Sequence, residues 1–167
     1  MCVLTKQWLS EHTRIIFNGD GYSEDWVKEA ERRGLPNITN TVDAMGCLTT
    51  PKAIELFEKH HVMTSVELAS REEVGYEIYG KTINIEARTM IDMAKKEIIP
   101  AVIKYTTTVA SSIAAVENVG GDASVQKIEL NDACTYLKQM NDALIVLEKA
   151  TEKATTIENA KERAIFY

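Results

Sequence analysis

Apolar residues along this chain recur mostly at steps of three and four, the spacing of a helical face, and nowhere in a sustained alternation by two. The longest run starts at Ile83 and passes through Ala87, Met90, Ala94, Ile98, Val102, Tyr105, Val109, Ile113 and Val116. That is roughly nine turns at 3.6 residues per turn. Paired glycines in "NVGGDAS" stop it, and a second run follows at near-heptad spacing through Leu130, Ala133, Leu137, Met140, Leu144, Leu147 and Ala154. Two long stripes joined by a short glycine loop predict an antiparallel helical hairpin. "TTIENAKERAIFY" resumes a helical pattern and leaves it open at Tyr167, so a third long helix, cut short, is expected. The fold class expected is therefore all-α: a long antiparallel hairpin within a helical bundle, preceded by shorter helices and loops.

The shorter elements are read from their punctuation. Val3, Leu4, Trp8 and Leu9 suit a short amphipathic helix, after which "FNGDGYSED" is turn chemistry: Gly19 and Gly21 tolerate positive φ, and Asn18 and Asp20 can bond their own backbone. Ser23, followed by two acids, suits the N-cap of a helix that ends at Gly34 before Pro36. Residues 38–50 show little pattern beyond one helical turn around Val42 to Met45. Thr50 and Pro51 read as N-cap and first helical position, with Ile54, Leu56 and Phe57 as an apolar face. Thr64 and Glu67 have the spacing of a capping box and open the longest helical region.

Two places in that region conflict with a plain helix. Pro100 removes an amide donor and crowds the carbonyl four residues earlier, at a cost of about 3 kcal/mol unless a kink relieves it. A bend is expected at residues 96–100. Gly75 and Gly80 each cost about 1 kcal/mol relative to alanine, which makes residues 70–81 the place for any interruption. The stretch around Ile91, Ile99 and Ile103 is apolar on more than one face, wider than a two-helix hairpin covers. These three residues are the candidate subunit or domain contact.

Composition narrows the class of function. The 167 residues are 45% hydrophobic and 26% charged, an ordinary globular balance with enough chain to bury a core. A net charge of −6 provides no basic field for nucleic acid or an anionic membrane. No eighteen uncharged apolar residues run together, so neither a membrane partner nor a nucleic-acid partner is expected, and the acidic character suits the cytoplasm. Cys2, Cys47 and Cys134 are scattered without a Cys-x-x-Cys pair, which argues for reduced thiols, without disulfide or zinc.

Candidate chemistry is thin. Asn18, Asp20 and Gly21 imitate the middle of a calcium loop, but that register places the first ligand on Ile16, which has no side-chain oxygen. Adjacent His60 and His61 point about 100° apart on a helix, so helix-end histidines facing the dipole are the simpler account. Asp92 and Lys96 form an exposed i, i+4 pair, and the neighbouring Glu86 and Glu97 are poorly spaced for paired acid–base work. No triad and no phosphate loop is present, so no catalytic, cofactor-binding or metal residue is assigned.

Three long strings then carry a resemblance: "RIIFNGDGYSEDWVKEAERRGLPNITNTVDAM", "ELFEKHHVMTSVELASR" and "KTINIEARTMIDMAKKEIIPAVIKY". Together they resemble the C-terminal part of type III glutamine synthetase, the large bacterial form, densely over the first two thirds of the chain and more loosely beyond. Where this chain reads "REEVGYEIYGK" it is richer in glycine than that family's pattern, which bears on helix continuity there. The resemblance implies that residues 1–35 close a catalytic domain and that residues 36–167 are the helical extension of type III enzymes, truncated at its end. It further implies a parent enzyme that ligates ammonia to glutamate with ATP and magnesium or manganese. That parent would be a dodecameric homo-oligomer, in which this chain packs against the rest of its own polypeptide and neighbouring subunits. Its catalytic residues belong to sequence outside these 167 residues, so the chain alone is expected to be inactive and to hold no cofactor. The rival expectation is a free-standing helical module that binds another protein through the wide apolar face.

Overall fold

A computed structural model describes residues 2–167. Met1 and the side chains of Cys2 and Ile15 lie outside the described residues, and the expectation of a reduced Cys2 thiol falls there. Among the described residues every regular element is helical. The chain divides into two compact units, residues 1–44 and 45–167.

The first unit holds α1 (Cys2–Glu11), a 3₁₀ turn (Thr13–Ile15) and α2 (Glu24–Arg32), and leads into α3 (Thr41–Met45). Helix α1 forms as its spacing predicts, yet Val3, Leu4, Trp8 and Leu9 are all more than half exposed. Ser23 caps α2, accepting the Trp26 N–H at 3.4 Å, with Glu24 and Asp25 in the favourable first turn. At the other end Gly34 takes φ +67, its N–H bonding the Glu31 carbonyl and the Leu35 N–H that of Ala30. This pair of bonds is a Schellman ending, and the left-handed residue it needs is a glycine.

In the second unit a 3₁₀ turn (Gly46–Thr49) leads to α4 (Pro51–Lys59), capped by Thr50 with Pro51 at the first helical position. Helix α5 (Ser65–Met93) opens with the full capping box: Thr64 accepts from the Glu67 N–H, and the Glu67 carboxylate accepts from the Thr64 N–H at 2.8 Å. A π-helical turn (Ala94–Ile98) joins α5 to α6 (Ile99–Asn118), so residues Ser65–Asn118 form one rod of 54 residues. After the Gly120–Gly121 turn, α7 (Ser124–Thr155) returns, and α8 (Ala160–Phe166) packs back on α5. Two ion pairs fix the sense of the hairpin: Glu117 meets Lys127 near the turn, and Lys95 meets Glu148 far from it, an antiparallel register.

The seam along the rod accounts for the first of the two conflicts in the sequence, the one at Pro100. Along α7 the covered positions step by three and four without a break: Ala123, Gln126, Leu130, Ala133 and Leu137, then Met140, Leu144, Leu147, Thr151 and Ala154. On the long rod Glu77, Gly80, Asn84, Ala87, Ile91 and Ala94 keep the same steps, and so do Ile99, Val102, Thr106, Val109, Ile113 and Val116. Between Ala94 and Ile99 the step is five, one residue too many for a heptad. A π turn absorbs one extra residue, and this one lies where the surplus falls: the Ile99 N–H reaches back five positions to the Ala94 carbonyl. Where a bend is expected, at residues 96–100, the structure shows a widening of the helical ladder that begins two residues earlier.

The covered positions depart from the sequence stripe, and the extra residue accounts for the shift from Ile98 to Ile99. Met90, Ile98 and Tyr105, expected in the apolar line, are 61%, 44% and 48% exposed, while Ile91 and Ile99 take the covered positions. No interruption occurs at residues 70–81, where α5 runs through both glycines. Each glycine makes room for a neighbour. A β-carbon at Gly75 would lie 2.8 Å from the Met45 sulfur, and one at Gly80 would meet the Arg163 side chain at 3.4 Å. The core that results is thin. Leu68 is fully buried, and Ala87, Ala94, Ala123, Ala154 and Ala164 supply most of the remainder, small residues that let helices approach closely.

Candidate functional site

The loop that imitates a calcium site is a tight turn. The Asp20 carboxylate accepts the Tyr22 N–H at 2.9 Å, and the Ser23 hydroxyl donates to the Asp20 carbonyl at 2.7 Å. Its best oxygen donor therefore serves the backbone two residues on. His60 ends α4, and His61 follows in the left-handed region at φ +53. Both are exposed at the helix end, as their spacing suggests. Among the described residues no group of three His, Cys, Asp or Glu side chains gathers to hold a metal. Cys47 and Cys134 are exposed thiols outside any disulfide.

The charged residues of the rod are engaged on its surface. Lys96 meets Asp92 at 2.6 Å, both more than 60% exposed, the i, i+4 pair its spacing predicts and worth about 0.3–0.5 kcal/mol. Lys95 points the other way and pairs with Glu148 of α7. Glu86 stands at the edge of an apolar groove. Asp92 and Glu148 line an open hollow of roughly 380 Å³ with Arg88 and Glu152, whereas Glu86 lies apart from them on the other groove.

Two polar nodes escaped the sequence reading. Glu72 accepts from the Thr49 hydroxyl at 2.5 Å and the Tyr76 hydroxyl at 2.9 Å, and Lys161 of α8 stands 3.8 Å away, over the Tyr76 ring. The Thr49 bond is the main reason the Glu72 carboxyl ionises more easily than usual, with Tyr76 and Lys161 adding to it. In the first unit Arg33 donates to the carbonyls of Arg14 and Ile16 at 3.1 and 2.6 Å and to Glu29 at 2.6 Å. It also lies 5.9 Å from the Trp26 ring, which meets Phe17 at 4.6 Å. Spacing could have offered Glu72–Tyr76 and Glu29–Arg33 as i, i+4 pairs. Thr49, Lys161 and the loop carbonyls are brought in by the fold alone. Both nodes fasten elements to one another, and Glu72, Tyr76 and Lys161 also line a small open hollow of roughly 180 Å³.

The three isoleucines singled out as a contact differ in exposure. Ile91 and Ile99 sit half-buried on the seam, and Ile103 is 50% exposed on α6. An uncovered apolar surface lies beside them: an open groove of roughly 730 Å³ whose walls include Ile85, Met90, Met93 and Ile98 on the rod and Met140 and Leu147 on α7. Its lining offers shape and apolar area and almost no polar anchor, a surface for packing rather than for bond chemistry.

Comparison with known proteins adds identity to this geometry. The glutamine synthetase C-terminal domain family matches residues 1–117, through the last turn of α6. A type-3 glutamine synthetase of Dictyostelium discoideum is 38% identical over 113 residues, which is 68% of this chain and 15% of that protein. A glutamine synthetase of Butyrivibrio fibrisolvens is 38% identical over 108 residues, 65% of this chain and 15% of its own length. One from Bacteroides fragilis (strain YCH46) is 33% identical over 105 residues, covering 63% of this chain and 14% of that protein. The chain thus spans about one seventh of the relatives it matches.

Proposed function

The chain belongs to the glutamine synthetase C-terminal domain family, and on that premise we propose that it is a helical packing and assembly part of an ATP-dependent glutamate–ammonia ligase. The observation that carries this reading is the match over residues 1–117 to a region whose polar side chains are engaged in caps, turns and ion pairs. Residues 1–35 are taken as the close of the catalytic domain and residues 36–167 as the helical extension. ATP and magnesium or manganese belong, in this reading, to other parts of the parent polypeptide.

The partners proposed are the rest of the parent chain and neighbouring subunits of a cytoplasmic homo-oligomer, dodecameric by resemblance. A net charge of −6 speaks against a nucleic-acid partner. The contact surface is placed around Ile103, flanked by the outer edges of Ile91 and Ile99. Glutamine formation from ATP, glutamate and ammonia with magnesium should stay at background for these 167 residues alone. Turnover above background would overturn the reading. In the full-length enzyme, Ile103→Asp should shift sedimentation toward smaller species, and an unchanged profile would remove Ile103 from the interface.

The open groove favours a second reading, a free-standing module that binds another protein. The encoding frame separates the two. A catalytic domain upstream in the same frame supports the first, and a start at Met1 with a stop after Tyr167 supports the second.

A further inference from the structure

We propose that residues 94–100 form a soft joint in the Ser65–Asn118 rod, at which the α6 arm tilts against α5. Three separate observations meet there. First, the hairpin seam carries one surplus residue between Ala94 and Ile99, while α7 opposite keeps an unbroken heptad. The two helices therefore cannot both hold ideal geometry along the same seam, and the mismatch is gathered into one turn.

Second, the hydrogen-bond ladder is thinned at that turn. The Ile99 N–H serves Ala94, five positions back, so the Lys95 carbonyl loses its ordinary donor. The ordinary donor to the Lys96 carbonyl would be residue 100, which is proline and has no N–H. Two successive carbonyls thus lack their α-helical partners, and they lie in a stretch, Lys95, Lys96, Glu97 and Ile98, whose residues are all exposed. Exposed backbone bonding of this kind marks the segments that open first in a folded protein.

Third, little apolar packing holds the turn. Between Ala87 and Ile113 the one buried residue among those described on the rod is Ala94, itself 6% exposed. Beside it lies the open groove, into which Met93 and Ile98 project opposite Met140 and Leu147, and this is the space the movement uses. The Lys95–Glu148 ion pair braces the joint from α7, and Glu117–Lys127 ties the arm near the hairpin turn. The arm therefore bows at residues 94–100 while its far end stays attached.

Amide hydrogen exchange and spin-label distances in the full-length protein test this. Amides at residues 95–99 and 101–103 should exchange at least about tenfold faster than those of the flanking turns of α5 and α6. Labels on exposed Glu73 and Thr107 should give a broad distance distribution. Removing both causes together, by deleting Glu97 and replacing Pro100→Ala, should slow exchange about tenfold and narrow the distribution. Exchange in the unaltered protein as slow as in the flanking turns would overturn the proposal, and so would fast exchange that survives the double change. If the double variant does not fold, Pro100→Ala alone decides: partial slowing supports the joint, and no slowing removes it.

Discussion

His61 is the clearest conflict at the scale of one residue. It occupies the left-handed position of a Schellman ending: its N–H bonds the Glu58 carbonyl and the Val62 N–H reaches that of Phe57. Gly34 and Gly120 hold the equivalent place in their own endings, at φ +67 and +77. His61, at φ +53, carries a β-carbon where those two do not. Replacing His61→Gly should therefore raise stability by about 0.5–1 kcal/mol, the relief of strain less the added freedom of the unfolded chain. Urea unfolding measures it, and a lowered midpoint would contradict the reading. Glu29 supplies a pH effect. Hydrogen bonds first from Arg32 and then from Arg33 hold its carboxyl at about 2, below the usual 4.5. A carboxyl that ionises more readily when folded contributes in full above its unfolded value, and that contribution is lost as pH falls from 4.5 through about 2. An NMR titration of Glu29 should find its midpoint near 2. Arg33→Gln should move that midpoint up and start acid unfolding of the first unit at higher pH.

At the scale of elements, what was legible in the sequence was whatever local spacing dictates. The caps at Ser23, Thr50 and Thr64, the hairpin and its glycine turn all depend on residues within a few positions of each other, and all formed as read. What was not legible depends on distant partners or on a count kept over many turns. Gly75 and Gly80 look like helix breakers until Met45 and Arg163 are found against them, 30 and 83 positions away in the chain. The surplus residue after Ala94 appears only when the seam is followed on both helices. Two substitutions test the packing. Leu68 is fully buried, so Leu68→Ala should cost about 2–5 kcal/mol in chemical unfolding. A methyl at Gly80 meets Arg163 at ordinary contact distance, so Gly80→Ala should gain up to about 1 kcal/mol from helix propensity. Gly80→Leu, by contrast, must displace Arg163 and loosen α8. Thermal melts of the two variants should move in opposite directions, and a shared direction would remove Arg163 packing as the reason for the glycine.

For the molecule as a whole, the decisive question is which solvent the long rod meets. By length and composition alone it could cross a membrane, since an 18-residue window of it reaches a mean hydropathy of 1.3. Absence of eighteen uncharged residues in a row does not settle that, because the window tolerates a charge such as Lys104. The partner helix weighs more. Helix α7 lies antiparallel along the same rod and carries exposed Lys127, Glu129, Asp132, Lys138, Lys149 and Lys153. Sinking the hairpin would bring several of these into hydrocarbon, where each charge costs about 2.5–3.5 kcal/mol even on the lenient insertion scale. A single Lys104 on the rod could reach an interface by its own flexible stem, but six charges spread along a 32-residue helix cannot all do so. The net charge of −6 adds repulsion from anionic lipid. The full-length protein should therefore remain in the supernatant when neutral or anionic vesicles are pelleted, with residues 99–118 as open to added protease as without lipid. Co-sedimentation that survives high salt, together with protection of those residues, would show that the apolar window outweighs its charged partner and would move the hairpin into the bilayer.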